Sequence, residues 1–241
     1  MQKKMAILIP AKNERESIIK VLKKLHVLKI RHNFKNMTII VVDDSIDGTD
    51  YVAKTMGANA IKGNNSLGLA YCLGIKEALK YRPNIIISID ADGQFDPMEI
   101  PKLIRPLILN NADLVLGSRF LKRNSIKYKM PFTNKIGNTI LTHIVKFLTG
   151  LQISDAQTGF RAMKKEVAVN LNIIGTHTYV QETIIDAKQK GYRILEVPVK
   201  FRKRKYGKSK VVSSTLKYAI MTLPPIIIHS IFGLKLNRGK K

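Results

Sequence analysis

Residues 85–94 read IIISIDADGQ, an apolar run that ends in two aspartates two positions apart. The apolar part is typical of a strand buried on both faces of a sheet. In extended geometry the carboxylates of Asp90 and Asp92 face the same side, and Gln94 continues the series. Oxygen ligands on one side of a strand end suit Mg²⁺ or Mn²⁺ bound to a diphosphate. We therefore predict a divalent-cation site at these three residues; the alternative is a polar turn in which Asp96 only caps the next helix.

Outward from this stretch, strand and helix patterns alternate along the first half of the chain. Apolar runs predict strands at 5–9, 38–42, 85–89 and 114–117, and helical spacing predicts helices at 14–28, 49–56, 69–79 and 97–109. The second half adds predicted helices at 136–148 and 179–190 and a strand at 192–199. This order predicts an α/β fold with a mostly parallel central sheet flanked by helices. Ligands of such sheets bind beyond the carboxyl ends of the strands, and both aspartate clusters, at 43–44 and 90–92, fall at such ends.

The chain is strongly basic, with 42 Lys and Arg against 17 Asp and Glu in 241 residues, a formal charge of +25. No acidic residue lies between Leu114 and Ser154 or after Glu196. Such a field attracts nucleic acid, anionic membranes or phosphorylated substrates, although a solvated basic face can also serve solubility alone. Nucleic-acid binding is the distant alternative and no nucleic-acid partner is expected, because aromatic residues are only 7% and no RNA-binding module pattern is present. The single cysteine, Cys72, excludes an internal disulfide and a cysteine-based zinc site.

Two common phosphate-binding loops are excluded. Gly63 and Gly68 have the spacing of a Walker A loop, but Leu69 and Ala70 stand where its Lys and its Ser or Thr would be. No GxGxxG follows the first predicted strand, which argues against a dinucleotide-binding oxidoreductase. A nucleotide bound by this chain would therefore have its phosphates held through a metal ion on carboxylates.

Five motifs follow one another over most of the chain. They are IPAKNE at 9–14, VDDSIDGT at 42–49, DADGQ at 90–94, GSR at 117–119 with DAQTGFRA at 155–162, and GYR at 191–193 with EVP at 196–198 and RKYGKSK at 204–210. Together they resemble the motifs of the family 2 inverting glycosyltransferases of the GT-A fold, most closely the dolichyl-phosphate (polyprenyl-phosphate) mannose synthases. Two positions depart from that pattern: Lys12 replaces an aromatic residue, and the second motif is one residue shorter than DDGSxDGT.

The resemblance implies a pocket for a nucleotide diphosphate sugar, GDP-mannose or UDP-glucose. By this resemblance its residues are Pro10, Lys12, Glu14, Val42, Asp44, Asp90, Ala91, Asp92, Arg119, Arg204 and Lys210. Of the two aspartates in the second motif, we prefer Asp44 over Asp43 as the one that contacts the nucleotide. Asp90, Asp92 and Gln94 would hold Mg²⁺ or Mn²⁺, and Asp92 and Arg119 are the predicted catalytic residues.

The resemblance also implies the kind of acceptor. A hydroxyl acceptor needs a base, whereas a lipid phosphate is already anionic and needs cations to position it. Arg119 follows a strand end and suits a bidentate grip on phosphate, with Lys135 as a second cation. The predicted reaction transfers a hexose, with mannose preferred, to dolichyl or polyprenyl phosphate with inversion. The alternative is a family 2 enzyme that glycosylates a sugar or protein hydroxyl, for which Asp155 is the first candidate base.

We predict one glycosyltransferase domain over residues 1–210 and a basic, apolar tail over 211–241. Within the tail, residues 218–234 carry no formal charge. As a helix they would span about 26 Å, less than the roughly 30 Å apolar core of a bilayer. The tail is therefore predicted to lie on an anionic membrane surface; the alternative is that it packs on the core or on a partner. No signal-peptide pattern opens the chain, so the predicted location is cytoplasmic, peripheral at the cytoplasmic face of a membrane.

Overall fold

The computed structural model describes residues 3–122, 125–128, 130–177, 179–207 and 221–228. Its strands are β1 (Met5–Ala11), β2 (Met37–Asp43), β3 (Asn59–Lys62), β4 (Ile85–Ser88), β5 (Leu114–Ser118), β6 (Arg161–Lys164) and β7 (Ile194–Pro198). Its helices are α1 (Arg15–Arg31), α2 (Thr49–Thr55), α3 (Leu67–Lys80), α4 (Ile100–Ile108), α5 (Phe132–Thr149), α6 (Lys165–Asn170) and α7 (Val180–Gln189), with a 3₁₀ turn at Pro97–Glu99 before α4. The strands form a seven-stranded sheet in the order β3-β2-β1-β4-β6-β5-β7, so the predicted α/β class is confirmed.

The sheet is parallel except at β6. This strand runs antiparallel to both neighbours, with Ala162 opposite Ile87 of β4 and opposite Val115 of β5. Because β6 runs the other way, it begins at the edge of the sheet where its neighbours end. The loop that precedes it, with Thr158 and Gly159, therefore lies beside the carboxyl ends of β4 and β5.

Two apolar cores cover the two faces of the sheet. Ile7 and Ile9 of β1 pack with residues of α1 and α4, whereas Leu8 packs on the opposite face with residues of α3, α5 and α7. This alternation is the period of two expected of an extended strand. Each fully buried Leu or Ile contributes about 1.5–3 kcal/mol, and the cores hold the strand ends in fixed positions.

Several element boundaries differ from the sequence prediction. β1 continues through Pro10 to Ala11, because the missing N–H of Pro10 faces β4, whose pairing with β1 ends at Leu8 and Ser88. The helix predicted at 97–109 is divided into a 3₁₀ turn and α4, since a proline, Pro101, occupies the first turn of α4. β3, β6 and α6 are not among the predicted elements.

The tail is described only at 221–228, which is helical. Ile226 is completely buried in the core that contains α3, α5 and α7, and Leu223 packs against that core. This packing agrees with the alternative that the tail packs on the domain. The domain boundary predicted between 210 and 211 lies outside the described residues, as does most of the tail. In the described ranges, no helix is long and apolar enough to cross a bilayer.

Candidate active site

The loops after β1 and β2 lock together at the carboxyl edge of the sheet. The backbone N–H of Asn13 donates to Ser45 Oγ at 2.6 Å, and Ser45 Oγ donates to Asp43 Oδ1 at 2.5 Å. The backbone N–H of Glu14 donates to Thr49 Oγ1 at 3.0 Å. Burial raises the pKa of Asp43, although the hydrogen bonds from Ser45 oppose this effect. The carboxylate of Asp43 therefore stabilises the loop after β2 by accepting hydrogen bonds from Ser45.

Asp44, the neighbouring aspartate, is placed differently. Its Oδ1 is buried and accepts no hydrogen bond within the described part of the chain. Gly63 packs against this carboxyl group so closely that a Cβ there would lie 2.7 Å from it. A buried carboxylate oxygen without a donor costs about 1–3 kcal/mol, so a ligand N–H or O–H that reaches it would bind favourably. This environment agrees with the preference for Asp44 over Asp43 as the nucleotide contact.

Other residues of the predicted nucleotide pocket lie on β1, on β2 and after β4. Pro10 and Val42 are paired neighbours in β1 and β2, and Ala91 is buried after β4. The Lys12 ammonium is exposed and donates to Asn65 Oδ1 at 3.3 Å, so Lys12 lies at the rim of the pocket. Lys210, the last predicted pocket residue, lies outside the described residues.

Arg204 joins two of the predicted motifs. Its Nη1 donates to Glu14 Oε1 at 2.6 Å and its Nη2 donates to Asp92 Oδ2 at 2.9 Å. Burial acts to lower the pKa of Arg204, but the charges and hydrogen bonds of Asp92 and Glu14 outweigh it, so the pKa is raised. One guanidinium thus spans the end of β1 and the turn after β4.

The segment that carries Arg204 is fixed by Gln94 and Phe201. The backbone N–H of Arg202 donates to the Gln94 carbonyl at 2.9 Å, and Gln94 Nε2 donates to the Arg202 carbonyl at 3.0 Å. Phe201 is buried and bridges to Phe95 and Ile126. In this structure the amide nitrogen of Gln94 is thus turned toward the segment after β7; its place among the metal ligands stays a prediction.

Asp90 and Asp92 form the carboxylate pair that the sequence places after β4. Burial and the charge of Asp92 raise the pKa of Asp90 to about 7, and burial raises the pKa of Asp92 as well. The carboxyl group of Asp90 packs on Gly159, where a Cβ would lie 2.6 Å from Asp90 Oδ1. Asp92 Oδ1 accepts the backbone N–H of Gln94 at 2.9 Å. A divalent cation would relieve the repulsion between the two carboxylates, so this donor set fits Mg²⁺ or Mn²⁺.

The pair does not make a complete metal site from protein atoms. Among the residues that the structure describes, no cluster of three or more His, Cys, Asp and Glu side chains is arranged to hold a metal ion. Asp90 and Asp92 thus supply part of a coordination sphere, as is usual for Mg²⁺ bound together with substrate phosphates and water.

Arg119 lies on the other side of the carboxylate pair, at the end of β5. Its Nε donates to Asp155 Oδ2 at 2.6 Å and its Nη2 donates to Asp155 Oδ1 at 2.7 Å and to Asn138 Oδ1 at 3.3 Å. The guanidinium also lies 5.1 Å from the ring centre of Phe201. Burial acts to lower the pKa of Arg119, but the charge of Asp155 outweighs it and the pKa is raised. Arg119 is therefore a charged group in a fixed position.

Asp155 is completely buried, and each oxygen of its carboxylate accepts two hydrogen bonds. Besides the two bonds from the guanidinium, Oδ2 accepts the backbone N–H of Arg119 and Oδ1 accepts that of Gln157. The loop is held from behind by Glu196, which accepts the backbone N–H groups of Ser154 and Asp155 at 2.7 and 2.9 Å. This environment is typical of a structural carboxylate and does not suit a general base.

Lys135 is exposed on α5, one helical turn before Asn138. It forms no ion pair with any residue in the described ranges. The structure thus places Lys135 on the helix that contacts Arg119 through Asn138.

Sequence reasoning missed two residues behind the site. Asn138 contacts Arg119 through the fold, and no motif marks it. Arg161 is completely buried, donates from Nη1 to the Val180 carbonyl at 3.0 Å and from Nη2 to the Thr158 carbonyl, and its charge acts on Asp90. Its position inside the motif at 155–162 is the signal that could have identified it.

The chain is similar to known proteins over most of its length. The model of glycosyl transferase family 2 matches residues 6–171. The UDP-N-acetylglucosamine–dolichyl-phosphate N-acetylglucosaminyltransferase of Methanococcus voltae is 31% identical over 89% of this chain and 92% of its own. The polyprenol monophosphomannose synthase of Mycolicibacterium smegmatis is 28% identical over 89% of this chain and 83% of its own.

A solved structure has the same fold. Glucosyl-3-phosphoglycerate synthase from Mycobacterium tuberculosis, in complex with Mn²⁺, UDP and phosphoglyceric acid, superposes with a TM-score of 0.72. The match covers 95% of this chain and 78% of the synthase. At 16% identity the likeness establishes the fold alone.

Proposed function

The chain belongs to glycosyl transferase family 2, and from this premise we propose that it transfers a hexose from a nucleotide diphosphate sugar to a polyprenyl phosphate. Relatives that cover most of the chain are named for dolichyl phosphate and polyprenol monophosphate products, which supports this acceptor class. The transfer would invert the anomeric carbon, because the acceptor attacks opposite the departing diphosphate.

The observation that carries the acceptor proposal is the pairing of Arg119 with Asp155. Two nitrogens of the guanidinium are used by Asp155 and Asn138, and the third, Nη1, makes no hydrogen bond within the described residues. A phosphate oxygen can accept from Nη1 while Asp155 keeps the guanidinium in place. A charge-assisted bond of this kind positions an anionic nucleophile without protonating it.

The same pairing argues against a hydroxyl acceptor that relies on Asp155. A general base needs a lone pair within hydrogen-bond reach of the proton that it removes. Both oxygens of Asp155 already accept two hydrogen bonds each. Phosphate needs no base, so the arrangement favours the phosphate acceptor.

The donor would bind between β1, β2 and the turn after β4. Asp44 would accept a hydrogen bond from the nucleoside through its buried Oδ1, and Arg204 would exchange a carboxylate partner for the diphosphate. Asp90 and Asp92 would hold Mg²⁺ or Mn²⁺, which when bound supplies Lewis-acid stabilisation of the charge on the departing nucleoside diphosphate. We propose Asp92 and Arg119 as the catalytic residues and Lys135 as an additional cation near the acceptor.

Mannose is the first sugar to test, because the motifs resemble those of mannose synthases. The relatives use different sugars, so GDP-mannose and UDP-glucose are both candidate donors, and UDP-N-acetylglucosamine is a third. The enzyme would work at the cytoplasmic face of a membrane, where the lipid acceptor is embedded.

The test is a donor screen with purified full-length protein. Each labelled nucleotide sugar is incubated with Mg²⁺ or Mn²⁺ and polyprenyl phosphate, and the lipid product is extracted and its anomer identified by NMR. We expect one donor to give a labelled lipid phosphate with inverted configuration. The proposal would be contradicted if no donor labels the lipid phosphate, or if the product retains configuration.

A further inference from the structure

Phe201 contacts both halves of the candidate site. The residue follows β7 and is buried, with 6% of its surface exposed. The guanidinium carbon of Arg119 lies over its ring, 5.1 Å from the ring centre, which is the distance of a cation–π contact. The same ring lies 4.9 Å from the ring of Phe95 and 6.0 Å from that of Tyr128. One side chain therefore packs on the arginine proposed for the acceptor and on an aromatic residue of the segment after β4.

The backbone of Phe201 is paired on both sides. The residue forms an antiparallel bridge with Phe95 and a parallel bridge with Ile126. Its N–H donates to the Ser125 carbonyl at 2.9 Å, and its carbonyl accepts the N–H of Lys127 at 2.8 Å. These bonds join the segment after β7 to the segments after β4 and β5, so the ring is held in a fixed position.

The residues that follow Phe201 reach the donor side of the site. Arg202 Nη2 pairs with Asp96 Oδ2 at 2.9 Å, and Arg204 Nη2 pairs with Asp92 Oδ2 at 2.9 Å. Three residues of extended chain span at most about 10–11 Å. The position of the Arg204 guanidinium therefore depends on where the chain is fixed at Phe201.

The ring of Phe201 restrains Arg119 in a direction that its ion pair leaves open. Asp155 accepts from two nitrogens in the plane of the guanidinium, which fixes the position of that plane's edge. A ring below the plane opposes its tilting, and the ring of Phe120, 5.4 Å away, adds a second contact. Together these contacts set the direction of Arg119 Nη1.

We infer that Phe201 is a positioning residue that sets Arg119 and Arg204 relative to each other, so that the acceptor phosphate and the donor diphosphate are held at a fixed separation. The inference rests on the proposed function for the identity of the two ligands. The contacts of Phe201 with Arg119 and with the segments after β4 and β5 are independent of that identity.

The test measures binding by calorimetry and uses the purified full-length protein. The probes are GDP and UDP with Mn²⁺ for the donor side, and geranyl phosphate, a short water-soluble isoprenyl phosphate, for the acceptor side. Phe201→Met removes the ring but fills most of its space with a flexible apolar side chain. The control is Phe34→Met, because Phe34 packs against the same core but precedes β2, at the opposite edge of the sheet. Circular dichroism and urea denaturation verify the fold and stability of each variant.

We expect Phe201→Met to weaken the binding of the nucleoside diphosphate and of geranyl phosphate by about five- to thirtyfold each, because one residue restrains both arginines. Phe34→Met should change neither affinity. Normal affinity for either probe in Phe201→Met would overturn the inference, as would an equal loss in Phe34→Met. A wild type that does not bind geranyl phosphate would overturn it as well.

A second experiment separates positioning through Arg119 from a general loosening of the core. In the Arg119→Ala background, Phe201→Met should cause little further loss of affinity for geranyl phosphate, because two changes that act through one group are not additive. NMR titration measures these weak affinities. A further loss as large as the one in the wild-type background would show that Phe201 does not act through Arg119, and the inference would fail.

The outcomes also separate this inference from the proposed function. If Phe201→Met weakens the binding of both probes but no nucleotide sugar gives a lipid product with the wild type, the proposed function fails and the inference stands. If the wild type transfers a hexose to polyprenyl phosphate while Phe201→Met binds both probes normally, the inference fails and the proposed function stands.

Discussion

The guanidinium of Arg119 and the carboxylate of Asp155 form a two-point ion pair, with Nε 2.6 Å from Oδ2 and Nη2 2.7 Å from Oδ1. The pair joins the end of β5 to the loop before β6. It fixes the direction of the remaining nitrogen, Nη1, and it occupies a carboxylate that could otherwise act as a base. Both consequences lead to predictions.

Arg119→Lys should impair transfer even though it keeps the positive charge. An ammonium group has one nitrogen and no planar fork, so it cannot reproduce the pairing of Nε and Nη2 with Asp155 and leave a separate nitrogen for a phosphate. The loss of a charge-assisted bond of about 1.5–3 kcal/mol corresponds to roughly ten- to hundredfold in rate. Steady-state transfer and donor affinity are measured for Arg119→Lys and for Arg105→Lys, an exposed control on α4. Normal transfer by Arg119→Lys would remove the acceptor role of this residue.

Asp92→Ala should abolish cation-dependent donor binding while the protein stays folded. The residue lies at a strand end and holds Arg204 and the turn at Gln94, but it is not part of either core. Calorimetric titration of the nucleotide sugar, with and without Mn²⁺, measures the effect. Asp50→Asn, which changes an exposed carboxylate on α2, is the control. Cation-dependent affinity that survives in Asp92→Ala would refute the assignment of Asp92 as a metal ligand.

Gly63→Ala should weaken donor binding without touching the ligand directly. The new Cβ would lie 2.7 Å from the carboxyl group of Asp44, so that carboxyl group must move. We expect Gly63→Ala and Asp44→Ala to weaken the binding of the free nucleoside diphosphate in the same direction. If neither variant changes that affinity, Asp44 does not contact the nucleotide.

Asp113 provides a pH-dependent stability test far from the site. Hydrogen bonds from Arg193, and an ion pair with Lys164, lower the pKa of Asp113 in the folded chain. A folded pKa below the unfolded value of about 3.9 contributes stability above that value, and the contribution is lost as the pH falls through the folded pKa.

We therefore expect Asp113→Asn to lower the free energy of unfolding by about 1–2 kcal/mol at neutral pH, since Arg193 is half exposed and the pair is screened. The difference should shrink as the pH falls below about 4. Urea denaturation at both pH values measures it, with Glu16→Gln, at an exposed position on α1, as the control. A deficit that is the same at both pH values would rule out the ion pairs as its cause.

The parts of the fold that sequence predicted best are those with local patterns. The apolar run at 85–89 indicates a buried strand wherever it occurs, and the Asp96 cap with Pro97 after it marks a helix start that the structure confirms. β6 was missed because Arg161–Lys164 is four residues long and begins and ends with a basic residue. Its antiparallel pairing depends on two distant strands and leaves no local signal.

For helix α3, the apolar pattern predicts that a helix forms, but it does not predict which residues of that helix are buried. Leu69 and Leu73 fit the helical spacing, yet each is 37% exposed. The buried face combines Tyr71 and Ile75 with small residues such as Gly68 and Gly74. A Cβ on Gly74 would lie 2.0 Å from Leu8 Cδ1. Close packing against β1 therefore selected small residues, which hydrophobicity alone does not reveal.

The sequence motifs predicted which residues belong to the candidate site, but they did not predict which of these side chains contact one another. Motif spacing placed Glu14, Asp92 and Arg119 at the same edge of the sheet. The bridge from Arg204 to both Glu14 and Asp92, and the commitment of Asp155 to Arg119, join residues far apart in sequence. Such contacts follow from the tertiary fold, and they decide which carboxylates are available for chemistry.

The central claim is that the acceptor is a lipid phosphate held by Arg119. The most direct measurement compares transfer rates to polyprenyl phosphate and to free polyprenol, in the wild type and in Arg119→Ala. If Arg119 holds the acceptor phosphate, the wild type transfers to polyprenyl phosphate and scarcely to polyprenol, and Arg119→Ala loses most transfer to the phosphate. Transfer to polyprenol as fast as to polyprenyl phosphate, or normal transfer by Arg119→Ala, would contradict the account.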